Sequence, residues 1–374
     1  MLPLDGLRVL DLSRVLAGPL CAMMLGDLGA SVIKVERPGS GDDTRGWGPP
    51  FDERGESAYY LSVNRNKLSL AADLGDAADR ELLLQLIAGA DVVVDNFRPG
   101  TLERRGIDPR ALVELYPRLV WCTITGFGEH GDRPGYDFVV QAERGWMAIS
   151  GVPDGEPMKI GVALVDVVAG KDATAGILAA LTARGLRSAP LPASQRRLIV
   201  SLADSAAAAL VNVAQNVLVS GKDAGRWGNG HPNLVPYQLF QAADRPLVVA
   251  VGTDAQWLDF VRALELPALA DDPRFLTNAG RVTNREELIA MLAARLGQRP
   301  AADWLALLTT AGVPAGQVRG VAEVVAAGGG SAATGMPPAV PGGQVRLPPP
   351  RLDAHGPAIR GRGWGAFPLP VADG

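Results

Sequence analysis

The stretch LRVLDLSRVLAGPLCAMMLGDLGASVIKVERP, residues 7–38, decides the fold class. Its first seven residues make a short apolar run of strand character, and ASVIKVERP at its end makes a second. Between them, AGPLCAMMLGDLG carries helix signals. Pro19 suits a first helical position, where a missing N–H is no loss, and Gly29 suits the C-cap. The unit recurs along the chain. KLSLAADL (67–74) precedes the helical DAADRELLLQLIAGA (76–90), and DVVVDNF (91–97) follows. DPRALVELYP (108–117) leads into RLVWCTITGFG (118–128), and RRLIVSLAD (196–204) supplies one more strand. Alternating units of this kind predict an α/β fold with a parallel, doubly wound sheet and helices on both faces.

Around residue 222 the texture changes. GRWGNGHPNLVPYQLF (225–240) is a Gly/Pro/Asn-rich crossing segment, and RPLVVAVG (245–252) is a strand. TDAQWLDFVRAL (253–264) opens with a Thr253-x-x-Gln256 capping box, and NREELIAMLAARLG (284–297) and AADWLALLTTAG (301–312) are amphipathic helices. The expected organisation is a large domain over 1–222, a smaller α+β domain over 223–319 and a C-terminal arm over 320–374. Within the arm, AAGGGSAATGMPPAVPGG (326–343) reads either as a flexible connector or as an extended segment crossing a partner surface.

Composition narrows the function. Hydrophobic residues make up 47% of the 374, enough for a large core. The formal charge is −4, from 36 basic and 40 acidic residues, so no basic surplus points to nucleic acid. The two cysteines, Cys21 and Cys122, lack metal spacing and suit a reducing compartment, most simply the cytoplasm. His130, His231 and His355 are scattered and form no metal motif. The start, MLPLDGLRVLDLS, has no basic segment ahead of an apolar one, so no signal peptide is expected. No membrane span is expected either. The nearest run, SLADSAAAALVNVAQNVLVSG (201–221), is interrupted by Asp204, Asn212, Gln215 and Asn216.

In a doubly wound sheet, ligands sit at the carboxyl ends of the strands. That rule selects Asp11–Ala17, Glu36–Arg37, Asn96–Phe97 and Gly126–Gly128. The first strand–helix turn lacks G-x-G-x-x-G, which argues against a nicotinamide dehydrogenase, and no P-loop or G-x-S-x-G elbow occurs. Cationic and planar groups remain near the strand ends: Arg37, Lys67, Asn96, Phe97 and Arg104. They suit a phosphorylated nucleotide, or else are ordinary surface charges and a core phenylalanine. GVALVDVVAGKDATAGILAAL (161–181) poses a separate question, because Asp166 is a carboxylate inside an almost wholly apolar stretch. If the segment is helical, Ala163, Ala169, Gly170 and Ala173 share the face of Asp166 and leave room beside it, while Val165, Val167 and Val168 pack elsewhere. Asp166 is then either a helix N-cap or a reactive carboxylate with a raised pKa.

Several stretches resemble the family III CoA-transferases, the CaiB–BaiF family: residues 4–45, NRNKLSL, DNFRPGTLERRGI, RPGYDFVVQAERGWMAISG, DPRFLTNAGRVTNREELI and AGVPAGQV, in order to about residue 320. The tail matches more weakly in LPPPRLDAHG. The resemblance implies a Rossmann-like large domain, a small domain and an interlocked homodimer, with CoA bound through Ala17, Arg37, Lys67, Leu70, Asn96, Phe97 and Arg104. It implies that Asp166 is the nucleophile that moves CoA from an acyl-CoA to a free carboxylic acid, through anhydride and aspartyl-CoA intermediates and without a metal. Backbone amides of 126–128 and 228–230 are candidate oxyanion donors. The α-methylacyl-CoA racemases of the same family carry a histidine where this chain has Tyr136, a poor base near neutrality, which favours transfer over racemisation. A non-catalytic CoA-binding protein is the remaining alternative. Tyr136 is either a packing residue or part of the acyl pocket. The chain departs from formyl-CoA transferase at Leu16, where that enzyme has a glutamine, and at Gly228 and Gly230, which stand without a glycine run. Both departures argue against a formyl/oxalate pair. The chain also ends soon after His355-Gly356, without the family's usual final helix.

Overall fold

The computed structural model describes residues 1–131 and 133–367. Two compact units emerge. One comprises Met1–Trp146, Lys159–Gly221 and the chain from Val325 onward; the other comprises Met147–Met158 and Lys222–Val324. The twelve-residue excursion at 147–158 into the second unit gives no compositional sign in the sequence.

The first unit is built on six parallel strands: β1 (Arg8–Asp11), β2 (Ser31–Glu36), β3 (Lys67–Ala71), β4 (Val92–Asp95), β5 (Val120–Thr125) and β6 (Arg197–Ser201). Their order is β3-β2-β1-β4-β5-β6, every neighbouring pair parallel. The strands are Val/Ile/Leu-rich because both faces are covered. On one face, Val9, Val32, Val94, Cys122 and Ile124 pack with α1 (Ala17–Asp27), the long helix Leu164–Leu186 and the helix Leu202–Ala208. On the other, Leu10, Ile33, Leu68, Leu70, Val93 and Trp121 pack with Leu83, Leu86 and Ile87 of the helix Ala77–Ala88 and with Ile359. Strand order reverses between β1 and β4. That switch point opens a crevice at the carboxyl ends of the strands.

Residues 334–355 lie along the β3 edge of their own unit. Arg65 pairs with Asp27 at 2.7 Å and donates to the Thr334 carbonyl, and the Asn66 side-chain oxygen accepts the amides of Arg346 (2.6 Å) and Leu347 (2.8 Å). Asp353 accepts the Ala71 amide at 2.8 Å, and the His355 amide donates to the Ser69 carbonyl. The strand edge is thereby paired rather than left open. Within the tail, Gly356–Arg362 forms a short helix, with Pro357 at its start and Ile359 in the core.

In the second unit, β7 (Tyr237–Gln241), β8 (Pro246–Ala250) and β9 (Ala315–Gln317) form an antiparallel sheet. Helices Asp254–Ala263, Arg285–Leu296 and Ala301–Thr310 enclose Trp257, Phe260, Phe275 and Trp304. Thr253 caps the first of these by accepting the Gln256 amide at 3.1 Å. Among the described residues no single helix is long and apolar enough to cross a membrane; residues 202–220 form two helices bent by 68°.

Candidate active site

Asp166 lies in the first turn of the long helix, whose N-cap is Ala163. It is therefore not the N-cap. That service comes from another helix: the Asp137 carboxylate, at the start of helix Asp137–Glu143, accepts the Val165 amide at 2.8 Å. Asp166 is half-buried, and among the described residues no hydrogen bond or ion pair engages its carboxylate. Burial pushes its pKa up to about 7, and the negative charge of Asp137 adds to the shift. The small residues after it serve helix packing. Ala169, Gly170 and Ala173 are buried against α1, and a Cβ at Gly170 would stand 2.7 Å from the Ala17 carbonyl oxygen. They bring two helices together rather than leaving space for a ligand.

Asp166 opens onto a cleft of about 200 Å³ at the β1/β4 switch point. Its walls come from the β1–α1 turn (Arg14, Val15, Leu16, Ala17), the β4 end (Asn96, Phe97, Arg98, Pro99), the β5 end (Ile124, Thr125, Gly126) and the segment Arg133–Tyr136. Gly126 and Gly135 exist as glycines because their backbones cross: a Cβ on Gly135 would meet the Gly126 Cα at 2.5 Å. Three arginines, Arg14, Arg98 and Arg133, line the cleft together with one carboxylate, Asp166, and Arg14 is paired with Asp43. Arg133 stacks 3.6 Å over Phe127 while paired with Glu143.

The β1–α1 turn is held under strain. Val15 has φ +72°, a region β-branched residues avoid, at a cost of about 1–3 kcal/mol. Asp42 accepts its amide at 3.3 Å, while Asn96 accepts the Arg14 amide at 2.9 Å and donates to the Arg14 carbonyl at 2.6 Å. Asn96 thus lines the cleft, but its amide is spent on the backbone instead of being free for a ligand. Below the turn is a buried charge cluster. Lys67 donates to Asp11 (2.8 Å), the Pro19 carbonyl (2.9 Å) and Asn64 (2.9 Å). All three ammonium protons are used and the side chain is buried, so Lys67 is a structural cation rather than a phosphate ligand. Burial pulls its pKa down to about 8 against the attraction of Asp11. Lys34 joins the cluster through the Ser13 carbonyl (2.9 Å) and Asp42 (3.0 Å). Leu70 is likewise core, fully buried in β3.

Arg37 lines a neighbouring cleft of about 300 Å³ with Leu12, Gly41, Leu74, Phe97 and Arg105, and the two clefts share Arg14 and Phe97 in their walls. Arg14 and Arg37 both pair with Asp43, at 3.0 and 2.9 Å. Arg104 is exposed, donates to Thr101, and lines neither cleft; its neighbour Arg105 does. Tyr136 lines the Asp166 cleft and is exposed, so it is not a packing residue. Leu16 and Ala17 line it too, and α1 begins there with first-turn amides that have no intrahelical acceptor. The three glycine amides at 128, 228 and 230 are engaged: Gly128 donates to Thr125, Gly228 to the Gly151 carbonyl and Gly230 to the Trp227 carbonyl. Gly228 and Gly230 belong to the second unit. Tyr59, which drew no attention in the sequence, has its hydroxyl pushed up to about 12 by burial and by the charges of Asp166, Asp137 and Asp42.

Residues 4–356 match the model of CoA-transferase family III. The chain belongs to that family. It is 43% identical over 327 residues to the succinyl-CoA:glutarate CoA-transferase of Mus musculus, covering 87% of this chain and 74% of that protein. It is 38% identical over 376 residues to the acetyl-CoA:oxalate CoA-transferase of Acetobacter aceti, covering 96% and 95%. A crystal structure of a CaiB/BaiF family protein from Brucella suis superposes with a TM-score of 0.82 at 41% identity, covering 96% of this chain and 99% of that one. The transferase acts on CoA thioesters.

Proposed function

We propose that this transferase moves CoA from an acyl-CoA to a dicarboxylic acid by acylation of Asp166. The observation that carries the reading is a half-buried carboxylate, raised to about 7 and free of partners among the described residues, at the switch-point cleft. An ionised Asp166 oxygen attacks the thioester carbonyl carbon, the C–S bond breaks and CoA thiolate leaves, giving a mixed anhydride. The thiolate attacks the aspartyl carbonyl and releases the donor acid as its carboxylate. The acceptor carboxylate then attacks the resulting aspartyl thioester, again expelling thiolate, which finally takes the acceptor acyl group and frees Asp166. Each oxyanion needs a donor, and the Ala17 amide at the start of α1 is the candidate this cleft offers. The nucleotide end of CoA is assigned to the cleft of Arg37 and Arg105, with pantetheine passing Phe97 toward Asp166.

The dicarboxylate class rests on three arginines in the cleft wall and on relatives named for succinyl and glutarate groups. Leu16 keeps one side of the cleft apolar, favouring a longer diacid over oxalate. The active form is assigned to an interlocked homodimer. Helix Val211–Ser220 supports an assembled state, because it buries no residue and exposes Leu218 and Val219. The test is CoA transfer from succinyl-CoA to glutarate, oxalate and acetate, followed by chromatography. Glutarate should be the best acceptor, with turnover lost in Asp166→Ala. Turnover in that variant would defeat the assignment.

A further inference from the structure

The residues that hold the start of the long helix carry an inference that rests on the reading of Asp166 as the acylated group. Asp137 and Gln141 lie one turn apart on one helix face and are both buried. Their polar atoms form one chain of bonds. The Val165 amide donates to one Asp137 oxygen at 2.8 Å, the Gln141 side-chain N–H donates to the other at 2.7 Å, and the Ile160 amide donates to the Gln141 oxygen at 2.9 Å. Two side chains thereby grip the backbone on both sides of the turn that delivers Asp166. A neutral acceptor at 137 would also cap the helix. The residue there instead brings a negative charge beside the nucleophile.

We propose that Asp137 and Gln141 are positioning residues for the transfer reaction, fixing the first turn of the long helix and placing one carboxylate charge next to Asp166. That charge, with burial, keeps the nucleophile basic, and a more basic carboxylate attacks a thioester carbonyl more readily. The other ionisable groups around Asp166 are Arg14 from the β1–α1 turn, Arg98 after β4, Arg133 and Tyr136 before the short helix, and Tyr59. Among the described residues none of them bonds to it. Asp137 is the group whose charge adds to the upward shift.

The bond pattern dictates the test. Asp137→Asn keeps an acceptor for Val165 but sets two N–H donors against each other at Gln141. Adding Gln141→Glu repairs this: the new carboxylate accepts both from position 137 and from Ile160. The double variant keeps all three bonds and moves the charge one side chain away from Asp166. Single-turnover acylation by succinyl-CoA is followed against pH, with KM and kcat measured in parallel. Peptide mapping of the wild-type adduct first establishes that acylation falls on Asp166; an adduct elsewhere would overturn the underlying reading by itself. Given that adduct, Asp137→Asn should lower kcat about tenfold or more, with KM nearly unchanged. The double variant should recover most of the rate at high pH, with the midpoint of its rise lying roughly half a unit to one unit below wild type. A single variant that matches wild type in rate and midpoint overturns the proposal. So does a double variant that does not fold or does no better than the single. A loss of thermal stability with an unmoved pH midpoint reduces the pair to structure alone.

Discussion

Replacing Gly170 with alanine drives a methyl group to 2.7 Å from the Ala17 carbonyl oxygen and 3.3 Å from Leu20, where ordinary contact lies at 3.4–4 Å. A carbonyl in a helix cannot swing aside as a side chain does, so the long helix must move off α1. Such overpacking costs about 1–3 kcal/mol, while Gly→Ala within a helix returns about 0.5–1 kcal/mol. The net is a loss of about 1–2 kcal/mol and a fall in Tm of about 2–4 °C. Asp166 is one turn away on the same helix, and a displacement of its carboxylate approaching 1 Å should lower kcat by up to about 100-fold. Gly176→Ala is the internal control. Its methyl meets only Leu198 at 3.5 Å, so it should stabilise by about 0.5–1 kcal/mol and leave kcat alone. The pair is compared by calorimetry and by initial rates of CoA transfer. If Gly170→Ala stabilises the protein as Gly176→Ala does, with full activity, then the close approach of the helices does not place Asp166.

Three further outcomes follow from the site. Lys67→Met should cost about 2–4 kcal/mol in denaturant titrations by removing the nearer of the two ammonium groups on buried Asp11 and leaving only Lys34 at 3.9 Å; a stable variant altered only in its KM for acyl-CoA would return Lys67 to the ligand. The Asp166 carboxyl is raised from 3.8 to about 7 in the folded chain, so its ionisation opposes folding and wild-type stability falls as pH rises between those values. Asp166→Asn has nothing to ionise there and should melt higher than wild type at pH 8 but together with it at pH 4, a reversed order contradicting the shift. Arg105→Ala should raise KM for acyl-CoA more than Arg104→Ala, because Arg105 alone of the two lines the cleft; equal effects would remove that cleft from the CoA path.

The strands of the large sheet were legible because each is a run of β-branched and apolar residues set between Gly, Pro and Asn punctuation, a local signal. Asp166 was legible as an anomaly, a carboxylate in an apolar stretch. Its place in the helix was not, since the cap that moves it inward is Asp137, on a different helix. Lys67 and Asn96 read as ligands because cationic and amide groups at strand ends are local facts. Their partners, Asp11 and the Arg14 backbone, stand 56 and 82 residues away in sequence. The same limit hid the docking of the tail on β3, which depends on Arg65, Asn66 and Ser69. Arg104 and Arg105 are adjacent in sequence, and only the fold decides which of them faces the cleft.

The central claim is that Asp166 itself becomes acylated. Protein mixed with succinyl-CoA, quenched within one turnover and digested, should yield the peptide bearing Asp166 with the mass of a succinyl or CoA adduct. Hydroxylamine should convert that adduct to a hydroxamate, and Asp166→Ala should show neither product. An unmodified Asp166 peptide in protein that is turning over, or an adduct on another residue, would contradict the account.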